Sequence, residues 1–179
     1  LGGDINVFEV TGDLDTSTLG GRVVFHDSTA PSGSSPVKID TMGGDIDIDE
    51  ALSGIKATTL GGNISIAKAA VFVDADTLGG KIEIQDVDGW VRAKTLGGDV
   101  VVTMTGDPDD GKRDATLSSL GGDVTLTVPA GLDMDIEIIL EVTSDAKRNY
   151  SITSDFDIEV EKRDVANRGG RNGERTMTT

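Results

Sequence analysis

The stretch Thr59-Leu60-Gly61-Gly62-Asn63-Ile64-Ser65-Ile66 decides the fold, because the chain repeats it at regular intervals. It returns as Thr77 to Ile84, and returns again after the same interval as Thr95 to Val102. Gly-Gly pairs that follow a Leu or Met stand at Gly2-Gly3, Gly20-Gly21, Gly43-Gly44, Gly61-Gly62, Gly79-Gly80, Gly97-Gly98 and Gly121-Gly122. A short period of this kind is typical of a chain that stacks one small structural unit.

Each repeat contains two stretches that alternate between apolar and polar residues. The second and fourth residues after every Gly-Gly pair are apolar, as in Ile64 and Ile66, and most residues between them are polar. A second alternating stretch precedes the next pair, and its inward residues shrink toward the glycines, as in Val73, Ala75 and Thr77. Alternation with period two and β-branched residues predicts half-buried β-strands.

Two or three short strands in each repeat of about 18 residues predict an all-β, single-chain parallel β-helix, a solenoid with one repeat in each coil. Equivalent residues would lie about 4.8 Å apart on successive coils. A propeller is excluded because its blades need about 40 residues, and a β-sandwich remains the alternative. At the corner between strands, the glycines would supply either a positive φ or close approach of two backbones.

The residue after each Gly-Gly pair predicts a ladder of polar side chains along the solenoid. We expect opposite charges on neighbouring coils to attract there by a few tenths of a kcal/mol. The series runs Asp4, Arg22, Asp45, Asn63, Lys81, Asp99 and Asp123.

The repeats occupy residues 1–128, and the pattern changes after them. Residues 129–161 hold longer alternating stretches, which we expect to close the end of the same domain. Residues 162–179 hold five basic and two acidic side chains and predict a flexible basic tail or a truncated loop. Because the chain opens at Leu1 in the middle of a repeat, we expect a further coil to precede it.

Two repeats are longer than the others, and both insertions fall between the first and second strands of a coil. They span roughly residues 26–36 and 106–114. Insertions at one phase of a solenoid project from one edge, which is often the binding edge; the alternative is a solvated corner that tolerates extra residues. The candidate binding residues are Ser32, Ser34, Asp107, Asp109 and Asp110.

The composition limits the chemistry and the partners of this chain. It contains no cysteine and carries a net charge of −16, which disfavours nucleic acid and anionic membrane surfaces. No apolar run is long enough to span a bilayer. The acidic residues near Asp107 lack the twelve-residue frame of a calcium loop, so we expect a turn there, and neither a bound metal nor a cofactor.

A catalytic site is not evident from the sequence. The single histidine, His26, stands beside Asp27 at the edge of the first insertion and is interpreted as a surface-loop residue. Polysaccharide-cleaving enzymes with β-helices use clustered carboxylates, and the candidates here are Asp45, Asp47 and Asp49, with Glu83 and Asp86 near them in phase. Outward carboxylates at every second residue are also typical of any solvated strand, so no catalytic residue is assigned.

The recurrent Thr-Leu-Gly-Gly-Asp-Ile phrase, seen at 59–66 and 95–102, resembles a bacterial adhesin-like family of β-strand-repeat domains of unknown function. The segment from Asn149 to Phe156 is similar to the late segment of that family. The resemblance implies a right-handed, non-enzymatic β-helix in the cell envelope or outside the cell. A further Asn-Gly-Gly loop and a final strand normally follow in the family. Gly169-Gly170-Arg171 is compatible with the start of that loop, and the final strand is absent.

We therefore expect a structural or interaction module that binds a cell-surface glycan or an envelope protein. A polysaccharide-cleaving enzyme is the alternative from a different class. A self-assembling scaffold is a third possibility, because exposed coil ends can associate into filaments, as similar coils do in the bactofilins.

Overall fold

The structure is a computed structural model that describes residues 2–27, 31–107, 113–132 and 151–155. All regular elements in these ranges are β-strands, and none of the described residues forms a helix that could cross a membrane. The strands are β1 (Ile5–Phe8), β2 (Asp15–Thr18), β3 (Val23–His26), β4 (Val37–Thr41), β5 (Ile46–Ala51), β6 (Ile55–Thr58), β7 (Ile64–Asp76), β8 (Ile82–Thr95), β9 (Val100–Met104), β10 (Ala115–Ser119) and β11 (Val124–Thr127).

The strands pair in parallel and form one 11-stranded sheet. One column follows the Gly-Gly pairs and contains β1, β3, β5, β7, β8, β9 and β11, while the other contains β2, β4, β6, β7, β8 and β10. Strands β7 and β8 are long enough to take part in both columns. The prediction of an all-β fold of parallel strands is confirmed over the described residues, and the arrangement is compatible with a β-helix.

The core lies between the two columns and consists of the predicted inward residues. Ile64 of β7 pairs with Ile46 before it and Ile82 after it, and all three are at most 1% exposed. In the second column, Val73 and Ala75 are fully buried. Stacking identical β-branched side chains in each row fills a narrow interior without large aromatic rings.

The two glycines of each corner have different roles. A Cβ on Gly80 would overlap the carbonyl oxygen of Gly62 and lie 2.8 Å from the amide nitrogen of Asn63. A Cβ on Gly79 would meet its nearest atom, the carbonyl oxygen of Gly61, at 3.5 Å. Neither glycine has a φ in the left-handed region, so close approach of the backbones is the reason for the second glycine.

A buried or half-buried hydroxyl connects each pair of successive corners. The Oγ1 of Thr77 donates to the carbonyl oxygen of Gly62 at 2.9 Å and accepts from the amide of Gly80 at 3.3 Å. Equivalent hydroxyl-to-carbonyl bonds are made by Thr18, Thr41, Thr59, Thr95 and Ser119. The inward side chains shrink toward the corner because a hydroxyl must reach the backbone there.

The ladder after the Gly-Gly pairs forms, but its bonds differ from the expected ion pairs. The carboxylate of Asp45 accepts from the backbone amide of Asn63 at 2.7 Å, and the side-chain oxygen of Asn63 accepts from the amide of Lys81 at 2.8 Å. Arg22 instead binds Asp47 at 2.6 Å, and this hydrogen bond raises the pKa of the guanidinium. The ladder therefore works mainly by accepting backbone N–H groups, which Asp and Asn can do and Arg and Lys cannot.

Replacing Asp45 with Ala is expected to lower the free energy of unfolding by about 1 kcal/mol, because the amide of Asn63 loses its acceptor on an exposed edge. Asp45→Asn is the matched control, since its amide oxygen can accept the same bond. Urea titration of both variants checks the effect. Equal losses in the two variants would show that charge, rather than the acceptor, matters at this position.

Contacts within the chain divide it into residues 1–133 and 134–179. Only 151–155 of the second unit are described, and these residues alternate between exposed and half-buried. The closing strands expected elsewhere in 134–161 and the basic tail at 162–179 lie outside the described residues.

Candidate functional site

The described residues that lead from the two insertions into β4 and β10 lie on one edge of the sheet, in keeping with their common phase. The first precedes β4 and the second precedes β10, and β6, β7 and β8 are paired in order between these strands. Four strand spacings separate the insertions, or about 19 Å. We call the row that joins them the insertion edge; it consists of Pro36, Gly54, Phe72, Trp90 and Asp114.

A pair of stacked aromatic rings occupies the middle of the insertion edge. The ring centroids of Phe72 and Trp90 are 4.9 Å apart and their planes differ by 11°. The Phe72 ring also covers Gly54, where a Cβ would overlap it. Phe72 of β7 covers one face of the indole. The other face of Trp90 is therefore turned toward β10, the strand that follows the second insertion. Neither ring is part of the buried core.

Val71, next to Phe72, is held in a strained conformation. Its φ is 69°, a region that β-branched residues rarely adopt. It pairs with Gly89, which cannot carry a side chain because a Cβ there would overlap the carbonyl oxygen of Val71. Val71 is 52% exposed, so it extends the apolar surface beside the aromatic rings. Strain of this kind is found preferentially at functional sites.

The first insertion contributes a compact turn to this edge. The amide of Ser34 donates to the carbonyl of Pro31 at 3.0 Å, and Gly33 has a φ of 89°. Ser32 is exposed and Ser34 is half-buried. The turn is fixed to the next repeat because the hydroxyl of Ser53 donates to the carbonyl of Ser35 at 2.9 Å.

The second insertion is anchored by Arg113, whose side chain is only 5% exposed. Its guanidinium binds the carboxylate of Asp88 at 2.6 Å and donates to the carbonyls of Thr105 and Asp107, each at 2.8 Å. These bonds hold the first residues of the loop, and Asp107 itself is exposed. The candidate residues Asp109 and Asp110 lie outside the described part of the chain.

His26, Asp27 and Asp49 form the one group within the described residues whose donor atoms could together hold a metal ion. The Nδ1 of His26 lies 2.7 Å from a carboxylate oxygen of Asp49, and its Nε2 lies 3.5 Å from Asp27. The donor atoms all lie within 4.8 Å of one another. All three side chains are well exposed. Contacts between one imidazole and two carboxylates are also common on protein surfaces without a metal ion.

The carboxylates considered for catalysis are engaged by separate partners. Asp47 binds Arg22, Asp49 binds His26, and Asp86 accepts from the hydroxyl of Thr105. Glu83 binds Lys81 at 2.7 Å, and this hydrogen bond lowers the pKa of the carboxyl group. These contacts are local ion pairs and hydrogen bonds along the outer surface of the strands, and each carboxylate has a different partner.

The sequence interpretation missed the aromatic pair, although a signal was present. Phe72 and Trp90 stand one period apart, each directly before an inward valine of the second column. Residues one period apart face each other on neighbouring strands of a solenoid. Aligning the outward positions as well as the inward ones would have brought the two rings together.

Comparison of the chain with protein-family models, with curated proteins and with solved structures finds no match.

Proposed function

We propose that this chain is a non-catalytic binding module that attaches to a cell-surface glycan, as its resemblance to the adhesin-like repeat family implies. The scaffold is a right-handed β-helix with one repeat in each coil. The observation that carries the proposal is the stacked pair of Phe72 and Trp90 between the two insertions. A rigid scaffold with aromatic side chains and polar loops on one edge is a common design for binding sites.

A sugar ring matches this edge chemically. Its C–H faces are apolar and pack against the face of an aromatic ring, whose π-system is negative at the centre. Its hydroxyl groups need acceptors, and Asp107 and Ser32 of the two insertions are both exposed. The net charge of −16 favours a neutral or amino-substituted glycan over an acidic polysaccharide.

The stiffness of the site also supports binding. Phe72 is fixed between Gly54 and Trp90, and Arg113 fixes the base of the second insertion. Preorganised side chains lose little conformational freedom when a ligand binds. Repeating one modest site across many copies on a cell surface would raise the avidity further.

Trp90 is the single tryptophan of the chain, so its intrinsic fluorescence reports directly on the proposed site. We expect the labelled chain to bind neutral glycans on an array, and the best of these to change the Trp90 emission on titration. Trp90→Phe should weaken binding on the array at least threefold and Trp90→Ala at least tenfold.

Phe8→Ala is the matched control, because Phe8 is a 58% exposed aromatic residue whose ring contacts His26 and not the Phe72–Trp90 pair. It should bind as the parent does. Full affinity of a folded Trp90→Ala variant would contradict the proposed site, and binding to none of the glycans would contradict the proposed function. Release of reducing ends from a polysaccharide would favour the enzymatic alternative.

A further inference from the structure

A row of exposed apolar side chains runs along a different edge of the molecule. Each member directly precedes the first glycine of a corner, and the strands before these residues are paired in register. We call this set the leucine row. Its members, with their exposed fractions, are Leu19 (58%), Met42 (51%), Leu60 (43%), Leu78 (50%), Leu96 (40%) and Leu120 (77%).

The leucine row is accessible along its length. On one side lie the first glycines of the corners, which have no side chains to hold a partner away. On the other side, Thr58, Asp76 and Lys94 line a shallow groove together with Leu60, Leu78 and Leu96. The described residues of the insertions lie between the first and second strands of their repeats, while the row follows the second strands.

The size of this surface is that of an interaction site. Six half-exposed Leu and Met side chains present on the order of 500 Å² of apolar surface, near the upper end of the range for the largest patch on a monomer. Each partner contributes roughly 800 Å² to a stable interface, of which the row would supply the apolar part. Burying the apolar part from water supplies the driving force for association.

We propose that the leucine row is the interface between two copies of this chain. Its side chains repeat at the strand spacing of about 4.8 Å, and a second copy has the same spacing. Side chains of one copy can therefore occupy the gaps between those of the other along the whole row. Such a contact uses the same patch on both subunits, which is how two-fold symmetric dimers form.

One pair of charges beside the row suits a second copy. In an antiparallel arrangement centred between Leu60 and Leu78, Asp40 of one copy faces Lys94 of the other, and this pair occurs twice by symmetry. Both residues are exposed on the strand that leads to the row. The net charge of −16 disfavours an anionic membrane as the occupant of this apolar surface.

The full chain is expected to sediment as a dimer. Combined replacement of Leu60, Leu78 and Leu96 by Ser should weaken the dimer at least a hundredfold in Kd. Val71→Ser is the control: it removes an apolar side chain of similar exposure away from the row and should leave the dimer intact. A monomeric parent would overturn the proposal, as would a triple-Ser variant that still forms the dimer, since association would then proceed through the ends of the stack.

Because the chain contains no cysteine, single thiols provide a second test. Leu78 lies close to its counterpart in any full overlap of two rows, so Leu78→Cys should form a disulfide-linked dimer under mild oxidation. Gln85→Cys, at an exposed position off the row, should not. A monomeric Leu78→Cys variant whose thiol resists alkylation would overturn the proposal by showing that the row is covered within one chain.

Discussion

Gly80→Ala is expected to lower the free energy of unfolding by about 4 kcal/mol or more. A Cβ at this position overlaps the carbonyl group of Gly62 in the preceding repeat, and both atoms belong to backbones that are fixed by pairing on either side. The strain cannot be relieved by a change of rotamer, so the two repeats must separate. A severe effect of this kind is expected where overpacking has no flexible neighbour to absorb it.

Gly79→Ala is the control within the same corner. Its Cβ would lie 3.5 Å from the nearest atom, the carbonyl oxygen of Gly61, which is ordinary van der Waals contact, and its φ lies outside the left-handed region. We expect a change of less than about 1 kcal/mol, with some gain from the less flexible unfolded chain. Urea unfolding followed by circular dichroism compares the two. Equal stability of both variants would contradict the assignment of distinct roles to the two glycines.

This difference between neighbouring glycines shows what the sequence can predict. The period locates every corner, and alternation locates the strands that flank it, because both depend on local residue types. From the sequence alone, the glycines could be required either for a positive φ or for the close approach of two backbones. That choice depends on the distance between Gly80 and Gly62, which are remote in sequence and adjacent only in the folded sheet.

The outward residues are harder to predict for a related reason. The ladder pattern predicts that Arg22 interacts with its neighbours at the corner, but its long side chain reaches Asp47 two residues further along the adjacent strand. The sequence indicates a surface position for His26, and the structure adds Asp49 to its surroundings. Exposed side chains can form ion pairs of similar energy with several neighbours. Inward side chains, by contrast, can pack only against the equivalent residues of the adjacent repeats.

The candidate site likewise has one part that the sequence predicts and another that requires the structure. The common phase of the insertions is readable from spacing, and it places both loops on one edge. The stacked rings and the buried Arg113 that anchors the second loop depend on contacts between repeats. These contacts follow from the register, so the period and the strand pairing together are needed to find them.

Thr77→Val is expected to lower the free energy of unfolding by about 2–3 kcal/mol. Valine has the same shape as threonine but cannot donate to the carbonyl of Gly62 or accept from the amide of Gly80. Thr77 is 3% exposed, so water cannot easily replace the lost partner. Two backbone groups would then remain buried without their hydrogen bonds, and each costs about 1–3 kcal/mol, partly relieved by relaxation of the corner.

Thr77→Ser separates the hydroxyl from the methyl group. The chain already uses serine at the equivalent place, where the hydroxyl of Ser119 donates to the carbonyl of Gly98 at 2.8 Å and accepts from the amide of Gly122 at 2.9 Å. The serine variant should therefore lose only the packing of one methyl group, about 1 kcal/mol. If valine proves as stable as serine in urea titrations, burial of the methyl group rather than the bridge between repeats stabilises the corner. The opposite order establishes the hydroxyl as the group that joins one repeat to the next.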